Sequence, residues 1–107
     1  MGAGAFYDAD LTGVINLPKF KQWETRNTSS SVNINNSFFI KNQNMTEIHI
    51  GANVPDEDKI TSVPNYTFQN CSGLSKVTGL NMITKIYAYS FHNCSNLSSI
   101  DIDWSKI

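Results

Sequence analysis

The sequence predicts a repeat solenoid of about four turns, mostly β, in which one short strand per turn joins a parallel sheet. Three observations carry that reading. The first is a period: Val63 returns as Ile86, Tyr66 as Tyr89, Phe68 as Phe91, Cys71 as Cys94, Leu74 as Leu97 and Val77 as Ile100, each after 23 residues. A fixed period in the low twenties marks a stacked architecture. The second is an apolar–polar–apolar triplet, Ile15-Asn16-Leu17, Ile48-His49-Ile50 and Ile100-Asp101-Ile102, with the alternation of a half-buried strand. The third is size. At 107 residues the chain is one domain at most, and each unit must bury its apolar side against the next, giving a thin, elongated core.

The repeat can be written relative to its phenylalanine. An aliphatic residue lies five before it, a small or thiol residue three after, and aliphatic residues nine and usually eleven after. The same template fits Ile34, Asn42, Ile48 and Ile50 around Phe39, and Met1, Ala9, Ile15 and Leu17 around Phe6. Four units result, centred on Phe6, Phe39, Phe68 and Phe91. In the third, Gly79 takes the last aliphatic position and weakens the strand Val77-Thr78-Gly79.

The segments F-Q-N-C-S-G-L-S-K-V and A-Y-S-F-H-N-C-S-N-L-S-S-I-D-I resemble BspA-like leucine-rich repeats. A-F-Y-D-A-D-L-T-G-V-I-N-L-P is similar to a variant of that unit, one residue short before Leu11. The resemblance implies a curved leucine-rich-repeat solenoid, α/β by class. It has a short-stranded parallel sheet on one face and irregular or short helical turns on the other. It also implies part of a larger bacterial cell-surface or secreted protein, associated with adhesion and protein binding rather than catalysis. A Cys at the position of Cys71 and Cys94 is a habit of that family, and favours two buried free thiols over a disulfide.

Taken in order, residues 1–17 form the first unit, and Pro18, without an N–H for a ladder, ends its strand. Residues 18–33 hold an insertion of 10 residues relative to the regular spacing. Phe20 and Trp23 lie three apart there and can pack together on a helical turn. Residues 34–50 form the second unit, and 51–62 a second insertion with the acidic run Asp56-Glu57-Asp58. Residues 63–86 and 86–107 complete the array as a single domain. Both ends read as cut from a longer repeat array, so end-to-end self-association through open ends is an expected mode of partnering. The N-terminal MGAGAFYDADL lacks the basic start and apolar core of a signal peptide.

The net charge of −1 gives no reason to expect a nucleic-acid partner. No apolar run approaches the roughly 20 residues that span a bilayer. Two cysteines without a nearby histidine fall short of a zinc site, and the acidic run lacks calcium-loop spacing, so no cofactor is expected. His49 and His92 fall in different units, and no catalytic set can be assembled from their spacing. The 13 asparagines create seven Asn-x-Ser/Thr matches, at Asn27, Asn35, Asn44, Asn65, Asn70, Asn93 and Asn96. The plainer reading is that asparagine and serine suit the tight turns each unit needs.

What remains is a surface. The outward strand positions align as one column, Asn16, His49, Thr78 and Asp101, beside a second, Glu47, Lys76 and Ser99. Glu47 and Lys76 become cross-strand neighbours of opposite sign, worth about 0.2–1 kcal/mol. A second candidate surface is the edge where both insertions emerge, with Phe20, Trp23 and Arg26 facing the acidic run. Aromatic and Arg residues are enriched at binding hot spots; the competing reading is that Phe20 and Trp23 cap an open end. The expected function is a non-catalytic module binding a protein or a glycan, with a structural spacer as the alternative.

Overall fold

The computed structural model describes residues 6, 9–22, 39 and 41–107. Six strands run in chain order: β1 (Gly13–Leu17), β2 (Met45–Ile50), β3 (Ser62–Val63), β4 (Lys76–Thr78), β5 (Lys85–Ile86) and β6 (Ser99–Ile100). Two single-turn 3-10 helices, Asp56–Asp58 and Trp104–Lys106, are the helical elements among the described residues. Helix is scarce because the 23-residue step leaves only a few residues between strand and turn.

The main sheet is parallel, ordered β1-β2-β4-β6, and open at both edges. Its register aligns Ile15 with Ile48, Ile48 with Val77, and Val77 with Ile100, the aliphatic position nine after each phenylalanine. The register slips once, between Gly13 opposite Met45 and Val14 opposite Glu47. That is where Leu11 of the first unit falls one residue early. Gly13 absorbs the slip at φ 69, a backbone region that costs other residues more.

Opposite the sheet, the phenylalanines stack as a column. Ring centroids lie 5.5 Å apart from Phe6 to Phe39, 5.4 Å from Phe39 to Phe68 and 5.3 Å from Phe68 to Phe91. A second aromatic column, Tyr66 on Tyr89, has centroids 5.5 Å apart. The segments around these rings are turns, joined between units by their own backbone bonds. Phe39 N donates to Thr67 O (2.8 Å), Phe68 N to Ser90 O (2.7 Å) and Asn70 N to His92 O (2.8 Å). Asn70 and Asn93 both sit at φ 62, a left-handed conformation asparagine tolerates, which accounts for their place in these turns.

Between the two walls lies the core: Phe39, Met45, Ile48, Val63, Phe68, Leu74, Val77, Leu80 and Ile83 are fully buried. Three features depart from the sequence expectations. First, Val63 and Ile86 are not merely packed aliphatics; with Ser62 and Lys85 they form a second two-stranded parallel sheet, β3-β5. Second, Gly79 lies past the end of β4 rather than within it, at φ 96, and a Cβ there would collide with the Ile50 carbonyl. The glycine is thus a requirement of close approach between units. Third, the principal extents are 30 × 27 × 24 Å, so the body is not elongated. Neighbouring strands advance only about 4.8 Å, and four of them do not outrun the width of a unit.

Candidate functional site

The sheet's solvent side carries the first candidate surface. Pairing sets Asn16 opposite His49 and His49 opposite Thr78; Glu47 faces Lys76, and Lys76 faces Ser99. Side chains alternate along a strand, so residues aligned across strands share a face. Asp101 follows β6, and its carboxylate turns to the backbone of the preceding unit: Oδ2 accepts from Gly79 N (2.9 Å) and Oδ1 from Leu80 N (2.8 Å). It therefore ties the chain leaving β4 to the chain leaving β6.

His49 is the centre of this face. Its Nε2 lies 3.1 Å from Glu47 Oε1 and its Nδ1 2.7 Å from Thr78 Oγ1. A carboxylate only accepts, so in the neutral ring Nε2–H donates to Glu47 and Nδ1 accepts from the Thr78 hydroxyl. The Glu47 carboxylate is therefore held by its own strand's histidine rather than by Lys76, its partner in the register. Lys76, Ser99 and Asn16 are exposed, while Glu47, His49 and Thr78 are half-buried.

The second candidate surface is the edge after β1 and β2. The chain beyond Leu17 and the chain beyond Ile50 are bonded together: Gly51 N donates to Leu17 O and Asn53 N to Pro18 O, both at 2.8 Å. Lys19, Lys21, Asn53, Val54, Pro55 and Asp58 line an open depression of about 450 Å³ between them. Opposite charges do share this hollow, but Asp56 pairs within its own loop, 4.0 Å from Lys59 Nζ. Lys59 also donates to Gly51 O and Val54 O, both at 2.8 Å, and so shapes the acidic loop from inside. Phe20 is half-buried here against the core. Trp23 and Arg26 lie outside the described residues.

The thiols are free and unpaired with each other. Cys71 is buried, whereas Cys94 is only half-buried, because its unit is the last of the stack. Burial, reinforced by the neighbouring Cys94 charge and partly offset by a backbone bond at Asn42, pushes the Cys71 thiol up to about 12. Burial, partly offset by a backbone bond at Cys71, pushes Cys94 up to about 11. Each thiol also has a polar task that its reading as a small apolar group missed. Cys71 Sγ donates to Phe39 O (3.0 Å), and Cys94 Sγ to Phe68 O (3.1 Å). Asn42, at the same repeat position, donates through Nδ2 to Phe6 O (2.7 Å) while fully buried. The position is a donor to the preceding phenylalanine's carbonyl, and an asparagine there is the signal that could have revealed it.

Among the described residues no group of three or more His, Cys, Asp or Glu side chains gathers as a metal site. Nor is any helix among them long and apolar enough to cross a membrane. Residues 32–107, more than two thirds of the chain, match the family described as BspA type leucine rich repeat region (6 copies). No curated protein and no solved structure matches the chain.

Proposed function

We propose, for a chain that belongs to the family of BspA-type leucine-rich repeats, a non-catalytic module that binds a protein or a glycan at a bacterial cell surface or in secreted form. The architecture fitting this role is a solenoid of about four turns, whose sheet presents the ligand-facing surface. One observation carries the reading: the register of β1, β2, β4 and β6 gathers Asn16, His49, Thr78, Glu47, Lys76 and Ser99 from 84 residues of sequence onto one polar face. Repeat stacks use such aligned columns as extended binding surfaces. A family of repeat scaffolds is generally non-catalytic, and a surface role accords with it.

The test is a binding screen of the purified chain against immobilised glycans and matrix proteins, repeated with Lys76→Glu and His49→Ala. Binding that falls at least about tenfold in either variant, a loss of about 1.4 kcal/mol, supports the reading. Binding unchanged in both but lost in Trp23→Ala would move the site to the edge of Phe20, Trp23 and Arg26. The second reading, a structural spacer, is favoured by one feature: Glu47, His49 and Thr78 satisfy one another, and Asp101 satisfies backbone, which leaves fewer polar groups for a ligand. Absence of any ligand in the screen supports the spacer.

A further inference from the structure

The two ends of the stack differ from its middle in one consistent way. In the third unit Val63, Phe68, Cys71, Leu74 and Val77 are all 0% exposed. Their equivalents one repeat later, Ile86, Phe91, Cys94, Leu97 and Ile100, are only partly buried. The residue types match, so what changes is the neighbour: the third unit is covered on both sides and the fourth on one. The opposite end repeats the pattern, since Phe6, Leu11, Ile15 and Leu17 are partly buried while Phe39, Met45, Ile48 and Ile50 are buried. β1 and β6 are also the outer strands of an open parallel sheet. An outer strand leaves backbone N–H and C=O groups without a sheet partner and is a template for pairing.

We infer that the β6 end of one molecule docks on the β1 end of a second copy, extending the sheet and the phenylalanine column across the junction. The occupant follows from continuity with contacts already inside the molecule. Every internal junction is parallel, aliphatic on aliphatic across the sheet and phenylalanine on phenylalanine at 5.3–5.5 Å. A second copy's β1 offers Ile15 to Ile100 and Phe6 to Phe91 in that geometry. Because the sheet is parallel, its two ends are not alike, so the contact is head-to-tail. A heterologous contact of this kind does not close on itself as a two-fold dimer does, but propagates.

Sedimentation velocity of the purified chain over a wide concentration range reads this directly. The expected result is a rising series of oligomers rather than one dimer. Ile15→Lys blocks one end and Ile100→Lys the other. Both positions are half-buried, so a lysine stem can lie along the apolar surface while its ammonium reaches water. Each variant alone is expected to stay monomeric. An equimolar mixture of the two is expected to give a heterodimer and nothing larger, because one intact head then meets one intact tail. A monomer at every concentration of the parent chain overturns the inference, and so does a single parent dimer without larger species. Circular dichroism melts of the variants accompany the mixture; should either variant be unfolded, the parent concentration series decides the matter alone.

Discussion

Truncating Phe68 to alanine is the sharpest test of the aromatic column. The ring is fully buried, with Phe39 on one face at 5.4 Å and Phe91 on the other at 5.3 Å. Burying a phenylalanine side chain contributes about 1.5–3 kcal/mol by area. Each aromatic contact adds about 0.5–1.5 kcal/mol, and part of the cavity stays open. The total agrees with the ~3–5 kcal/mol measured for such truncations in cores. Phe91 has the same residue type, only one stacking partner in the column and partial exposure, so Phe91→Ala is expected to cost about half as much. Domains of this size are stable by about 5–15 kcal/mol, so both variants should fold at low denaturant. Urea unfolding followed by circular dichroism gives the two midpoints, and a changed slope would reveal loss of two-state behaviour. If Phe68→Ala costs no more than Phe91→Ala, the column does not share load between units as described, and the reasoning fails.

Other perturbations address single contacts. Gly79→Ala should lower the melting temperature by more than the usual helix or loop glycine change, over about 1 kcal/mol, since φ 96 and the Ile50 carbonyl both exclude a Cβ. Asp101→Ala leaves the N–H groups of Gly79 and Leu80 without their acceptor and should cost about 1–2 kcal/mol. In the folded state both thiols should react slowly with alkylating reagents at neutral pH, while denaturation without reductant should expose two; a count of zero would overturn the free-thiol assignment. The folded protein holds its thiols protonated, raising them from an ordinary 9.0 to about 12 for Cys71 and about 11 for Cys94. Their contribution to stability is therefore full below about pH 9 and lost as pH rises through about 11 and 12. Alkaline melts should show that decline, and Cys94→Ala should soften it.

The stacked phenylalanines and the aliphatic register were legible because each depends on a constant offset, and a period survives even where single residues change. Ile15, Ile48, Val77 and Ile100 align although two different residue types fill the position. The β3-β5 sheet was not legible: Ser62-Val63 and Lys85-Ile86 are two residues each, too short to display alternation. Asn42 looked like a weak match at a cysteine position, because composition ranks it as polar and says nothing of the carbonyl it serves. On the sheet face, spacing could name the neighbours of His49 but not that Glu47 and Thr78 would grip its ring from both sides. That outcome depends on side-chain torsions, which leave no trace in a one-dimensional pattern.

The donor at the position of Asn42, Cys71 and Cys94 reaches backward, to the unit before its own. Ala9 holds that position in the first unit and offers no side-chain donor. Every later unit thus brings the bond that seals its predecessor, and the first has no predecessor within the array to seal. A gene encoding such an array can gain or lose whole multiples of the repeat by unequal recombination without leaving a broken seam at the join. A crossover out of phase would separate a donor from its carbonyl, and folding itself would select against it. The length of the array is therefore free to drift in steps of one unit, and in no smaller step.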